Sequence, residues 1–188
     1  VKTFILSNGI KFLVQPDNSI PNANMYLYFK VGSRNEYTGI TGLSHFFEHM
    51  MFNGAKKYGP AMLDKTEEFN GGANNAYTTE NVTVYTDWFP SSKLELFFDI
   101  ESDRIANLAF DSAKIESERE VVHSEWRTSL ENSPWEPLSQ AVVGVAFNQH
   151  PYHWPVIGYE TDIKNWKRTD LQKYFKTYYA PNNCVVVI

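Results

Sequence analysis

Two histidines four residues apart, His45 and His49, stand in the stretch "GLSHFFEHMMFNGA" with Glu48 just before the second. On a helix four residues advance about 400°, so the two imidazoles project about 40° apart on one face and one turn apart. That arrangement lets two ring nitrogens hold one cation. Glu48 falls about 60° from His45, at the edge of the same face, where it can reach a water on the metal without filling a coordination position. Two neutral imidazoles favour zinc or a similar borderline ion, and a catalytic zinc takes three protein ligands with a fourth place left open.

A third ligand has to come from elsewhere in the chain. In "IESEREVVHSEW", Glu118 and Glu125 are seven apart and about 20° from superposition on a helical face, so both can point at one site. His123 and Glu120 lie off that face. One of the two carboxylates would complete a two-histidine, one-carboxylate site and the other would orient a ligand histidine; spacing does not choose between them. Cys184, a single thiol in an apolar strand run, reads as a small core residue. His123, His150 and His153 read as ordinary core or surface histidines.

The helix that must carry His45 and His49 begins near Thr41 or Gly42 and stops at Asn53-Gly54. Its residues Phe46, Phe47, Met50, Met51 and Phe52 read as core packing. Before it, "KTFIL" and "IKFLVQ" flank Asn8-Gly9 as a hairpin, and "ANMYLYFKVG" is a further strand. After it, "PAMLDKTEEFN" is helical with Pro60 in its first turn, and "ANNAYTTENVTVYTDWF" has the alternation of paired strands. Pro90 to about Phe147 reads as helical, broken near "ENSPWEP". "NQHPYHWPVIG" is a loop, "RTDLQKYFKTYY" a helix from Thr169 or Asp170, and "NCVVVI" a buried strand. This order predicts an α+β fold with a largely antiparallel sheet covered by helices. Ending on a buried strand, the chain is expected to be a fragment of a larger protein.

The chain's 188 residues, 43% of them hydrophobic, can bury a core as one domain. With 17 basic against 22 acidic residues and no Lys/Arg run, the footprint of a nucleic-acid binder is missing. No apolar run approaches the ~20 residues of a membrane span. The lack of a basic and apolar leader suggests a mature or trimmed start, and one cysteine does not separate compartments. A periplasmic or secreted bacterial setting is the favoured expectation, with cytoplasm or mitochondrion as alternatives.

Taken together, "GLSHFFEHMMFNGAKKY", "NNAYTTENVTVYTDW", "IESEREVVHSEWR" and "HPYHWPVIG" resemble the N-terminal half of the pitrilysin-like M16 zinc metallopeptidases, the inverzincin His-x-x-Glu-His type, closest to its bacterial and mitochondrial-processing-peptidase branch. The likeness runs over essentially the whole chain. It implies an α/β roll in which residues 1–188 form an N-terminal zinc-binding peptidase domain, the C-terminal half lying outside this chain. It further implies one Zn2+ per chain held by His45, His49 and Glu125, with Glu48 as general base and Glu118 hydrogen-bonded to a ligand histidine. Asn75 and Ala76 would sit where an edge strand pairs with the substrate backbone, although Asn75 near Gly71-Gly72 also suits a turn. The implied partners are a peptide substrate and a C-terminal half or homologous subunit that closes a chamber. Two other functions compete: a non-catalytic subunit of the same superfamily, and a metal-dependent lyase of the S-ribosylhomocysteine type, which would require Cys184 as ligand.

Overall fold

The computed structural model describes residues 1–188. Six strands form one open sheet: β1 (Lys2–Ile5), β2 (Lys11–Val14), β3 (Asn22–Phe29), β4 (Ala73–Thr78), β5 (Thr83–Pro90) and β6 (Cys184–Val187), in the spatial order β1-β2-β6-β3-β5-β4. All neighbours are antiparallel except β2 and β6, which run parallel with Phe12 opposite Val186. The helices are α1 (Leu43–Met50), α2 (Met62–Phe69), α3 (Leu94–Asn107), α4 (Ser112–Asn132), α5 (Trp135–Ala146), the single turn α6 (Glu160–Ile163) and α7 (Arg168–Tyr178). The architecture is the α+β, largely antiparallel arrangement expected from the sequence. No helix is long and apolar enough to cross a membrane.

Strand alternation sets where the core sits. On β3, Met25, Leu27 and Phe29 are buried while Tyr26 between them is exposed, and on β5 Tyr85 and Phe89 are buried while Trp88 is exposed. The buried faces share one core with Phe46, Phe47 and Met50 of α1 and with Leu171 and Tyr174 of α7. The Phe47 ring lies 5.3–6.1 Å from those of Phe110, Tyr174, Phe175 and Tyr179. Full burial of one such ring contributes about 1.5–3 kcal/mol, so α1 is anchored by its apolar side and its polar side has a defined direction.

The start of α1 is fixed by contacts from outside the helix. The Glu36 carboxylate accepts the Gly42 and Ser44 amides, both at 2.7 Å, and so takes up two of the helix's free N–H groups. Gly42 has φ +87°, and a Cβ there would come within 2.3 Å of the Ile157 carbonyl oxygen. The loop after α5 therefore packs directly on the N-terminus of α1.

Local departures from the sequence reading have simple causes. Helix α2 starts at Met62 and not at Pro60, because Ala61 adopts a left-handed φ of +61°. The helical run after Pro90 is interrupted at Leu108, which bridges to Ala55, before Asp111 caps α4 by accepting the Lys114 amide. Helix α7 begins at Arg168, one residue before the expected start, within ordinary end variation.

Behind α1 the core holds an unexpected set of charges. Glu67, Asp87 and Glu101 are all buried around Arg104, which pairs with Glu101 and lies 5.4 and 5.3 Å from the Phe52 and Tyr85 rings. One guanidinium cannot balance three carboxylates, and no protein donor reaches either oxygen of Asp87. Burial pushes Glu67 up to about 7 and raises Asp87 well above the usual carboxylate range. The folded chain thus holds protons that the unfolded chain releases near its ordinary values of 3.8 and 4.5. Their contribution is complete below those values and is lost as pH rises through about 7 and beyond. The urea midpoint should fall between pH ~6 and ~9, and Asp87→Asn should flatten that fall; equal slopes for the two proteins would contradict this account.

Candidate metal centre

With Phe46, Phe47 and Met50 turned into the core, α1 presents His45, Glu48 and His49 toward α4 and the edge strand β4. The two imidazole rings lie 4.7 Å apart at 73° to one another. From α4, one Glu125 oxygen approaches His49 Nε2 at 3.4 Å and His45 Nε2 at 3.8 Å. Donor atoms of these three residues all lie within 4.8 Å of one another.

Glu118, two turns earlier on α4, is placed differently. Its Oε1 lies 2.8 Å from His49 Nδ1, and its Oε2 accepts the Asn53 side-chain amide at 2.6 Å. When His49 is neutral, this contact keeps the proton on Nδ1 and leaves the Nε2 lone pair facing Glu125. The 20° offset between the two glutamates brings both to His49, but at opposite ring nitrogens.

The side chains polarise one another. Burial pulls His45 down to about 4, with the neighbouring His49 acting in the same direction, so this ring is neutral at physiological pH. Burial also pulls on His49, yet the hydrogen bonds to Glu118 and Glu125 outweigh it and push its pKa up to about 9. Hydrogen bonding to His49 holds both Glu118 and Glu125 below the usual carboxylate range. A cation held by His45, His49 and Glu125 would compete with the His49 proton. Burial raises Glu48, against a hydrogen bond from Thr78 Oγ1 to its Oε2 at 2.6 Å.

Two imidazole nitrogens and one carboxylate oxygen converging from two helices fit zinc in both donor chemistry and number. The Glu67, Asp87 and Glu101 group offers only oxygens and already encloses Arg104, so it does not suit zinc. Cys184 belongs to neither group. It is buried on β6 opposite Phe29, and burial pushes its thiol up to about 12.

Clefts open on both sides of the centre. One of about 350 Å³ is lined by Glu48, His49, Asn53, Asn75, Ala76 and Glu118 among others. Asn75 and Ala76 belong to β4, whose far edge pairs with no strand. The second, of about 390 Å³, runs along His45, Glu125, Glu136, Gln140, His153 and Ile157. His153 therefore lines the approach to the site without joining its donor group. His123 is turned away toward Glu160 at 2.9 Å, and the His150 ring accepts the Tyr152 amide at 3.2 Å.

Two residues at the site had no distinct signal in the sequence. Asn53 reads only as a helix stop, although its amide steadies Glu118. Thr78 reads as an ordinary strand threonine; alternation places it on the same face as Ala76, but only the position of α1 brings Glu48 to it.

The chain is similar to known proteins along most of its length. The model of the insulinase family (peptidase family M16) matches residues 11–159. The zinc protease PqqE of Helicobacter pylori is 32% identical over 184 residues, covering 97% of this chain and 41% of that protein. A crystal structure of a protease from Helicobacter pylori superposes with a TM-score of 0.90 at 30% identity, over 99% of this chain and 45% of the other. The first half of the periplasmic protease PqqL from Escherichia coli superposes at 0.88 with 26% identity, over 99% and 41%. The chain thus spans less than half the length of these relatives.

Proposed function

The chain belongs to the insulinase family, peptidase family M16, and from that premise we propose that residues 1–188 form the zinc-binding domain of an endopeptidase acting on peptides or small unfolded segments. The observation that carries this reading is the convergence of His45, His49 and Glu125 beside a carboxylate that is not part of the donor group, Glu48. His45, His49 and Glu125 would hold one zinc per chain. Bound there, zinc would supply Lewis acidity toward a peptide carbonyl and toward water. Glu48 accepts the proton of the attacking water and returns it to the leaving amine. Glu118, steadied by Asn53, keeps the His49 ring in its orientation. The unpaired edge of β4 at Asn75 and Ala76 takes the substrate backbone as an added strand.

Because the chain spans 41% of the PqqE relative, a second half or homologous subunit would complete the substrate chamber. The test is to measure bound zinc and then cleavage of a quenched peptide library with the chain alone and with its complementary half. We expect one zinc per chain and cleavage that rises on adding the half and is abolished by chelation. A chain that takes up no zinc overturns the metal assignment. A zinc-loaded pair that cleaves nothing overturns the catalytic reading in favour of a non-catalytic subunit.

A further inference from the structure

A carboxylate one residue from His49 and one helical turn from His45 has a choice of partners. Left free beside a cation, Glu48 could serve as a further ligand, which would remove it from proton transfer. In the structure it is held instead by β4, through the 2.6 Å bond from Thr78 Oγ1 to Glu48 Oε2, and Oε1 has no partner within the chain. We propose that Thr78 is a positioning residue that keeps the Glu48 carboxylate out of the metal's ligand set and leaves one oxygen free to take a proton.

The mount is built to hold still. Thr78 lies opposite Thr83, which is fully buried and donates its hydroxyl to the Val31 carbonyl at 3.0 Å. The turn beyond it is closed by Thr79 N to Val82 O at 2.8 Å, and is tied outward by Ser33 N to Thr79 O at 3.3 Å and by Tyr152 Oη to Asn81 Oδ1 at 2.7 Å. A hydrogen bond to a charged acceptor from so fixed a donor is both directional and strong. Thr78 is also two residues along the strand from Ala76, so the strand proposed to set the substrate's register also sets the position of the base.

The inference rests on the metal reading above, and its test reads coordination and not turnover. Cobalt(II) replaces zinc as the probe in the full 188-residue chain, for the wild type, Thr78→Val, Thr78→Ala, Thr78→Ser and Glu48→Gln, and for Thr78→Val combined with Glu48→Gln. Thr78→Val and Thr78→Ala should weaken and shift the visible cobalt bands, as an added ligand does, and tighten cobalt binding by about tenfold. Thr78→Ser should match the wild type, and Thr78→Val should have no effect in the Glu48→Gln background. Cobalt-loaded Thr78→Val and Thr78→Ala with wild-type spectra overturn the proposal. So does an effect that persists without the Glu48 carboxylate, which marks a merely structural role. A wild type that binds neither cobalt nor zinc sinks the metal assignment and the inference with it, and is recognised by the absence of any bands.

Discussion

On the reading proposed above, Glu48→Gln should leave zinc content at the wild-type level and lower zinc-dependent cleavage by the reconstituted protein by about 10²–10⁴-fold, the usual contribution of a general base. The amide has nearly the same shape and keeps an oxygen that can accept the Thr78 hydroxyl, so the local packing survives. What it lacks is a group able to take up a proton. Glu48 is outside the convergent donor group of His45, His49 and Glu125, so the substitution leaves all three of those donors in place. Metal analysis and peptide-cleavage rates on one preparation separate the two effects. A variant that loses zinc along with activity would show that Glu48 belongs to the ligand set.

The second large effect is on the metal itself. His49→Ala removes the ring nitrogen that faces Glu125 and leaves Glu118 Oε1 without its partner. Its side chain is 22% exposed and outside the apolar core, so the fold should persist with an unchanged far-ultraviolet circular dichroism spectrum. Zinc should no longer be retained through dialysis. Glu118→Gln is the graded comparison: all three donors remain, but the amide no longer holds the His49 ring through a charged bond, and affinity should fall by roughly 10–100-fold. If Glu118→Gln released zinc as completely as His49→Ala, Glu118 would be acting as a ligand and the assignment of Glu125 would have to be exchanged for it.

Asp87 shows where sequence reading stops short. Alternation along "TVYTDWF" puts it on the same face as Tyr85 and Phe89, yet an aspartate in a strand is ordinarily turned to solvent. Its burial depends on Glu67 from α2 and on Glu101 and Arg104 from α3, which meet it only in the folded chain. The single turn α6 was hidden for a similar reason. Asp162, within it, accepts the Gly39 amide and both the amide and hydroxyl of Thr41, bonds that tie it to the start of α1 more than a hundred residues away.

Spacing alone put His45, Glu48 and His49 on one side of a helix, and Glu118 and Glu125 on one side of another, because helical periodicity is a local property of the backbone. It also established the class of fold, since strand alternation and turn residues act over a few positions. What it left open was which glutamate meets which nitrogen. That depends on how far α4 is displaced along α1, and the displacement is set by core contacts among residues remote in sequence. The tertiary structure placed Glu125 between the two Nε2 atoms, Glu118 at His49 Nδ1 and Thr78 at Glu48. Each is a contact across at least thirty residues of chain, decided by packing that no local pattern encodes.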